Sequence, residues 1–251
     1  MIDRHKKILE LVNANGKIEV SVLSKKLSVS QVTIRKDLSY LEKKGLLIRQ
    51  HGYALMINSD DISKRLAFNY DVKRRIALSA ASIVEDGETV MIESGSTCAL
   101  LARELAENKK NVTIITNSAF IASYIRECPF ANVILLGGNY QRESQVLVGP
   151  IIRKCIEGFH VDKLFVGTDG FTEKSHFTAK NYMRAETVKI MAENANKVII
   201  LTESKKFSQQ GVVSQFNIKD VYAVITDNKI PEKIYDLLVQ NNVNVITVDA
   251  E

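Results

Sequence analysis

Seven short apolar runs recur from residue 89 onward: TVMIES (89–94), VTIIT (112–116), NVILLG (132–137), KLFVGT (163–168), KVIILT (197–202), VYAVIT (221–226) and VNVITV (243–248). Runs this continuous in Val and Ile, separated mostly by stretches with helical spacing, indicate strands buried on both faces of a mainly parallel sheet. This restricts the larger part of the chain to an α/β fold with an open sheet. Each run is far shorter than the ~20 apolar residues a bilayer crossing needs, so no membrane span is expected. The opening MIDRHKKILELVNANGK has no uninterrupted apolar stretch before a small-residue cleavage site, which argues against a secretory signal and for a cytoplasmic location. Cys98, Cys128 and Cys155 stand singly with no CxxC, so they read as small buried apolar residues. Neither a disulfide framework, a metal site nor a cofactor is expected.

The formal net charge of +5 is unevenly spread. Residues 1–57 hold eleven Lys/Arg against five Asp/Glu, and the remainder 23 against 24. Such asymmetry suggests that the first quarter meets a polyanion while the rest does something else. Its pattern is helical from Arg4 to Asn13, ending at NANG; then comes a short β-prone KIEV. A second helix follows, which Ser21 can cap and which carries Val22, Leu23 and Leu27. A third, capped by Ser30, runs to about Lys44 with Ile34, Leu38 and Leu41 as its buried stripe, and Gly45 ends it. LLIRQHGYALM then reads as a hairpin. That order of elements belongs to a winged helix-turn-helix. With the apolar stripe facing inward, Gln31, Thr33, Arg35 and Lys36 lie near the helix start, where a helix in a major groove places its base-reading side chains. Ser30 combines a cap with a phosphate contact, and Arg49 and His51 in the hairpin would sit beside the DNA backbone or minor groove.

SKKLSVSQVTIRKDLSYLEKKGLLIRQHGYA resembles the N-terminal signature of DeoR-type transcriptional regulators, an S-x-x-T-I-R-R-D-L recognition helix followed by an R-x-H-G-G-A wing. The counterparts are Ser30, Thr33, Ile34, Arg35, Lys36, Asp37 and Leu38, then Arg49, His51, Gly52 and Ala54. Lys36 replaces the second Arg, keeping charge but losing the two-pronged guanidinium, so a phosphate contact is expected there in place of a guanine. Tyr53 replaces the second Gly, which is costly if that position takes positive φ.

Beyond the first strand of the larger part, Ser94, Gly95, Ser96 and Thr97 offer hydroxyls and approachable backbone N–H groups at a helix start, chemistry suited to a phosphate. Asn117 and Ser118, Gly137 and Gly138, and Asp169 follow three further strands, where open α/β sheets bind ligands. Residues from about 62 onward are similar to the effector domain of the same family, itself similar to ribose-5-phosphate isomerase. The matching segments are Glu93–Thr97, Thr116–Ser118, Gly167–Gly170, Glu186 and Glu203–Phe207. The resemblance implies that Ser94–Thr97 hold a phosphate, with Glu93 and Gly170 in the same motifs, while Asp169, Glu186 and Lys206 line a sugar site. Glu93 and Glu203 stand where Asp is usual, which moves each carboxylate by roughly one C–C bond.

The expected organisation is a winged helix-turn-helix over 1–57, a linker and the start of a connecting helix over 58–74, and an effector-binding and oligomerisation domain over 75–251. As a whole the chain reads as a homodimeric or homotetrameric regulator, a repressor of a carbohydrate catabolism operon. It would bind double-stranded operator DNA and respond to a phosphorylated sugar. Asp169, Glu186 and Lys206 are residue types that an isomerase uses, but types alone do not make a catalyst, so no enzymatic role is expected. Two alternatives stay open: a winged helix that docks a protein, and a sugar-phosphate isomerase-like enzyme.

Overall fold

The structure, a computed structural model, describes residues 3–43, 46–55 and 60–250. It divides into two compact units, Met1–Arg65 and Leu66–Glu251. In the first, α1 (Asp3–Asn15) leads to β1 (Lys17–Glu19), then α2 (Val20–Leu27), α3 (Gln31–Lys43), β2 (Ile48–Gln50) and β3 (Tyr53–Leu55). The three strands form one small sheet in the order β1-β3-β2. Ile8, Leu23, Ile34, Leu38, Leu41, Leu47 and Ala54 are fully or almost fully buried, so the expected stripe of α3 is the face that holds it down. Ser30 does cap α3, its Oγ accepting from the N–H of Thr33 at 3.2 Å. Ser21 does not cap α2 but lies within it: the helix starts at Val20, after Glu19, with no side-chain cap. Val22 on that helix is exposed. Gly45 lies outside the described residues.

At the wing tip His51 and Gly52 take positive φ, 45° and 83°, the pairing that a two-residue hairpin turn with the native strand twist requires. Tyr53 is the first residue of β3 and pairs with Gln50 and Glu19. The substitution of Tyr for Gly therefore costs no backbone strain. Lys17 Nζ instead stands 4.2 Å from the Tyr53 ring centroid.

The connecting segment is two helices rather than one, α4 (Ile62–Ala67) and α5 (Tyr70–Ala81), broken at Phe68 and Asn69, where Asn69 takes φ 51°. The chain continues through β4 (Thr89–Ile92), α6 (Ser96–Asn108), β5 (Val112–Thr116), α7 (Ala119–Tyr124), β6 (Ala131–Leu135), β7 (Asn139–Gln141), β8 (Val146–Val148) and α8 (Ile151–Ile156). After these come β9 (Val161–Val166), β10 (Gly170–Thr172), β11 (His176–Ala179), α9 (Tyr182–Ala192), β12 (Ala195–Leu201), β13 (Val213–Phe216), β14 (Ala223–Asp227), α10 (Glu232–Gln240) and β15 (Asn244–Val248).

All seven apolar runs become the strands of one sheet, ordered β15-β14-β12-β9-β4-β5-β6. Every pairing in it is parallel. Successive residues of each strand enter opposite cores. Val90, Ile92, Ile114, Phe165 and Ile199 join Ile76, Leu101 and Leu105 from α5 and α6. Met91, Ile115, Leu164, Val166 and Ile200 join Ile152, Val188, Met191 and Leu238 from α8, α9 and α10. Burial on both faces is what erased polar alternation from these strands. Of the cysteines only Cys98 is buried; Cys128 and Cys155 are half-buried, against the expectation that all three are core residues. Among the described residues no helix is long and apolar enough to cross a membrane.

Candidate functional site

On α3 the residues that face away from the core are Gln31, Val32, Arg35 and Lys36, all exposed. Arg35 Nη2 donates to Gln31 Oε1 at 3.3 Å, one turn away, so the two sit side by side on the helix surface. Thr33 is half-buried and committed to the cap, its Oγ1 2.9 Å from Ser30 Oγ. Val32 was not singled out from the sequence, where an apolar residue in a helix reads as core. At 59% exposed near the start of α3 it is an apolar contact of the kind that meets a thymine methyl. Arg49, expected to face DNA, is turned onto α3: its N–H donates to Glu42 Oε1 at 2.9 Å and its Nη1 to Ser39 Oγ. It braces the wing against the helix, while His51 and Tyr53 remain exposed at and beside the tip.

Asp37 points the other way. Its carboxylate accepts from Arg4 Nε at 2.6 Å and Nη2 at 3.1 Å, and lies 3.1 Å from His5 Nε2. His5 stacks on Tyr40, with ring centroids 4.8 Å apart. Through this cluster α1 fixes the rotation of α3. Burial opposes the Asp37 charge, but hydrogen bonds from Arg4 and His5 outweigh it and hold the carboxyl below its ordinary value. A depressed carboxyl contributes stability above its unfolded pKa, near ~4, that is lost as pH falls through the lower folded value. Asp37→Asn is expected to cost about 1.5 kcal/mol at pH 7, as for a hydrogen bond to a charged group. The difference from wild type should shrink on acidification below about pH 4 in denaturant titrations. A difference independent of pH would show that the ion pair contributes nothing.

In the larger unit the strand order reverses direction beside β4. From there β5 and β6 lie to one side and β9, β12, β14 and β15 to the other. The loops after β4 and β9 flank this switch point, where open α/β sheets bind ligands. They are tied directly: Glu93 Oε2 accepts from the N–H of Gly167 at 3.2 Å, while Oε1 accepts from Ser94 Oγ at 2.8 Å. Glu93 thus fixes the loop. Behind it Gly95 precedes α6 with no side-chain cap, and the first bond onto that residue is Ala99 N–H to Gly95 O at 2.9 Å. The N–H groups of Ser96 and Thr97, in the first turn, precede that bond. Ser94, Ser96 and Thr97 are buried beside them.

Because the sheet is parallel, Asn117, Ser118, Gly137, Gly138, Asp169 and Lys206 follow the same ends of its strands, whereas Gly170 begins β10 and Glu186 lies within α9; several of these residues are occupied by the fold. Ser118 caps α7, accepting from Ile121 N–H at 3.1 Å, and Asn117 Nδ2 donates to Leu147 O at 3.1 Å. A Cβ on Gly138 would lie 2.7 Å from Val148 O, and one on Gly170 only 2.4 Å from Gln209 O; Gly137 has more room. Asp169 Oδ2 accepts from Lys180 N–H at 2.9 Å. Lys206 Nζ reaches Gln209 Oε1 at 3.3 Å, and Glu186 lies 3.0 Å from Lys189 on the half-exposed face of α9. One neighbour was missed: Gln215 of β13 donates to Gly167 O at 3.0 Å and is buried, with no partner for its Oε1 among the described residues. It lies in a strand too short and polar to stand out in the sequence.

Residues 4–60 match the DeoR-like helix-turn-helix domain and residues 68–228 the DeoR C-terminal sensor domain. Over 93% of its length the chain is 33% identical to the HTH-type transcriptional regulator GolR of Listeria innocua, covering 93% of that protein. It is 29% identical over 98% of its length to the putative aga operon transcriptional repressor of Escherichia coli O157:H7, and 28% identical over 96% to the glycerol-3-phosphate regulon repressor of Escherichia coli K12. These alignments cover 93% and 97% of the two relatives. Ribose 5-phosphate isomerase A of Methanocaldococcus jannaschii superposes with a TM-score of 0.42 at 23% identity over 55% of each chain.

Proposed function

The chain belongs to the DeoR family of transcriptional regulators, and from that membership we propose that it represses a carbohydrate operon and is released from its operator by a phosphorylated sugar. Gln31, Val32 and Arg35 read base edges, Lys36 and the cap of α3 contact phosphate, and His51 and Tyr53 approach the neighbouring backbone. Two copies act together, because paired recognition helices meet half-sites about one helical turn apart. The observation that carries the effector reading is the uncapped, hydroxyl-lined start of α6 beside the β4/β9 switch point. Helix-start N–H groups and the helix dipole favour an anion there. Asp169, Glu186 and Lys206 complete the site on the sugar side. The site binds without turnover: Glu186, the candidate base, is paired with Lys189 on a helix surface.

The test is a thermal-shift panel of glycerol 3-phosphate, D-ribose 5-phosphate, D-fructose 6-phosphate, D-tagatose 6-phosphate and D-fructose 1,6-bisphosphate, with inorganic phosphate as the bare headgroup. A ligand that binds only the folded state raises its stability, by about 2.7 kcal/mol at a hundredfold excess over Kd. At least one sugar phosphate is expected to raise the midpoint. Replacing Ser96 and Thr97 by Ala should remove most of that rise while leaving DNA affinity without effector within about twofold of wild type. No shift from any compound would sink the effector reading, and an unchanged shift in the double variant would remove the loop from it.

A further inference from the structure

The first residues of the sensor unit grip the turn that carries Lys206 through a buried charged cluster. Phe68 and Asn69 form the break between α4 and α5, Lys73 lies one turn into α5, and Glu203 follows β12 by two residues. Asn69 Nδ2 donates to Glu203 Oε1 at 2.7 Å. Lys73 Nζ stands 3.7 Å from Glu203 Oε2 and donates to Phe68 O at 2.5 Å. Lys205 Nζ meets Glu203 Oε1 at 2.9 Å and lies 3.9 Å from the centroid of the Phe68 ring. Lys73 and Glu203 are 4% and 6% exposed. From the other side Asp227 Oδ2 accepts from Ser204 N–H at 2.7 Å, and Glu203 O accepts from Lys206 N–H at 2.9 Å.

Nothing in packing alone calls for charge here, since a buried ion pair is often no more stabilising than an apolar pair of the same volume. What it adds is direction. Glu203 Oε1 accepts from Asn69 and Oε2 is ion-paired with Lys73, so a shift of the Lys206 turn must either carry the Phe68–Lys73 segment with it or break a buried polar contact. The segment turns at Asn69, whose φ of 51° is a left-handed conformation that Asn adopts more readily than most residues with a side chain. It is also the stretch by which the chain enters from residue 65, the last of the DNA-binding unit. We infer that Asn69, Lys73 and Glu203 are positioning residues that relay occupancy of the effector site to operator affinity. Movement of Lys206 toward a bound sugar phosphate is transmitted through Glu203 to the Phe68–Asn69 break. This rests on the reading that Lys206 faces the effector.

Two variants of the full chain test it. Asn69→Gly removes the amide yet keeps the left-handed backbone accessible. The double variant Lys73→Met with Glu203→Gln removes both charges, leaving no lone buried ion. Each is assayed with the panel compound that most stabilises wild type, by thermal shift and by fluorescence anisotropy on an operator duplex recovered by in vitro selection with the wild-type chain. Wild type is expected to be stabilised and to change its DNA affinity by about fivefold or more. The variants should keep the thermal shift and bind DNA without compound within about twofold of wild type, but respond to compound by less than about twofold. A full response in Asn69→Gly overturns the relay and leaves the effector site standing. Loss of the thermal shift in Asn69→Gly would make Asn69 part of the binding site, which also overturns it. If wild type is stabilised without any change in DNA affinity, there is no coupling to relay. A wild type that no compound stabilises removes the effector reading and the relay together. Should the double variant fail to fold, Asn69→Gly alone decides.

Discussion

Gly170→Ala is expected to destabilise the sensor unit by about 3 kcal/mol or more, the upper range for overpacking a filled interior. A methyl placed there lies 2.4 Å from Gln209 O, 2.7 Å from its carbonyl carbon and 2.9 Å from Gln210 Cα. All three are backbone atoms, so no side chain can swing aside. The approach is also needed: Phe171 N–H donates to Gln209 O at 2.8 Å, and this bond carries the 209–211 loop onto the β10–β11 hairpin. For a unit of this size the loss corresponds to a fall in thermal midpoint of about 6 to 12 °C. Gly137→Ala is the control. Its nearest neighbour would be Cys155 Sγ at 3.4 Å, ordinary contact, so the midpoint should move by less than about 2 °C. Both glycines were grouped with the effector residues on sequence. If Gly170→Ala melted with wild type and lost only its effector shift, Gly170 would be a ligand contact and the packing account would be wrong.

The contrast between those glycines shows where the sequence is legible. The seven sheet strands were readable because burial on both faces leaves a run of Val and Ile that no helix or loop shares. The strands β7, β8, β10, β11 and β13 were not readable: they are three or four residues long and, apart from the apolar β8, mixed in polarity, so they look like the loops they interrupt. At the candidate site, the helix start at Ser96 was legible because a helix start announces itself locally. Which polar residues the fold has already engaged was not. Asn117, Ser118 and Glu93 all look like ligand groups in sequence, and each is bonded to a backbone or hydroxyl partner. The partner can be far away along the chain. Asp37 meets Arg4 across 33 residues, and Asn69 meets Glu203 across 134. A buried charge is visible as a charge; what neutralises it is fixed only by the tertiary fold.

On the DNA-binding unit, Arg35→Ala is expected to weaken operator binding by about 1 to 3 kcal/mol, roughly 5- to 150-fold, and to relax preference at one base position. Arg35 is exposed on α3, and its guanidinium donates to Gln31 at 3.3 Å, a contact that a base edge can replace with little loss. A guanidinium can donate twice to guanine, so removing it discriminates among sequences. Lys36 is exposed one residue on and carries only a point charge. Its replacement by Ala should weaken specific and generic duplexes alike and lower the slope of log K against log salt by about 1. Anisotropy titrations across a salt series, on the selected operator and on a single-base-changed duplex, separate the two. The discriminating quantity is the ratio of affinities for those duplexes, which should fall for Arg35→Ala and hold for Lys36→Ala. If instead both variants lost affinity equally, with the same ratio and an unchanged salt slope, neither would be reading a base or a phosphate. The exposed face of α3 would then be doing no recognition, and Asp37 would be orienting that helix for some partner other than DNA.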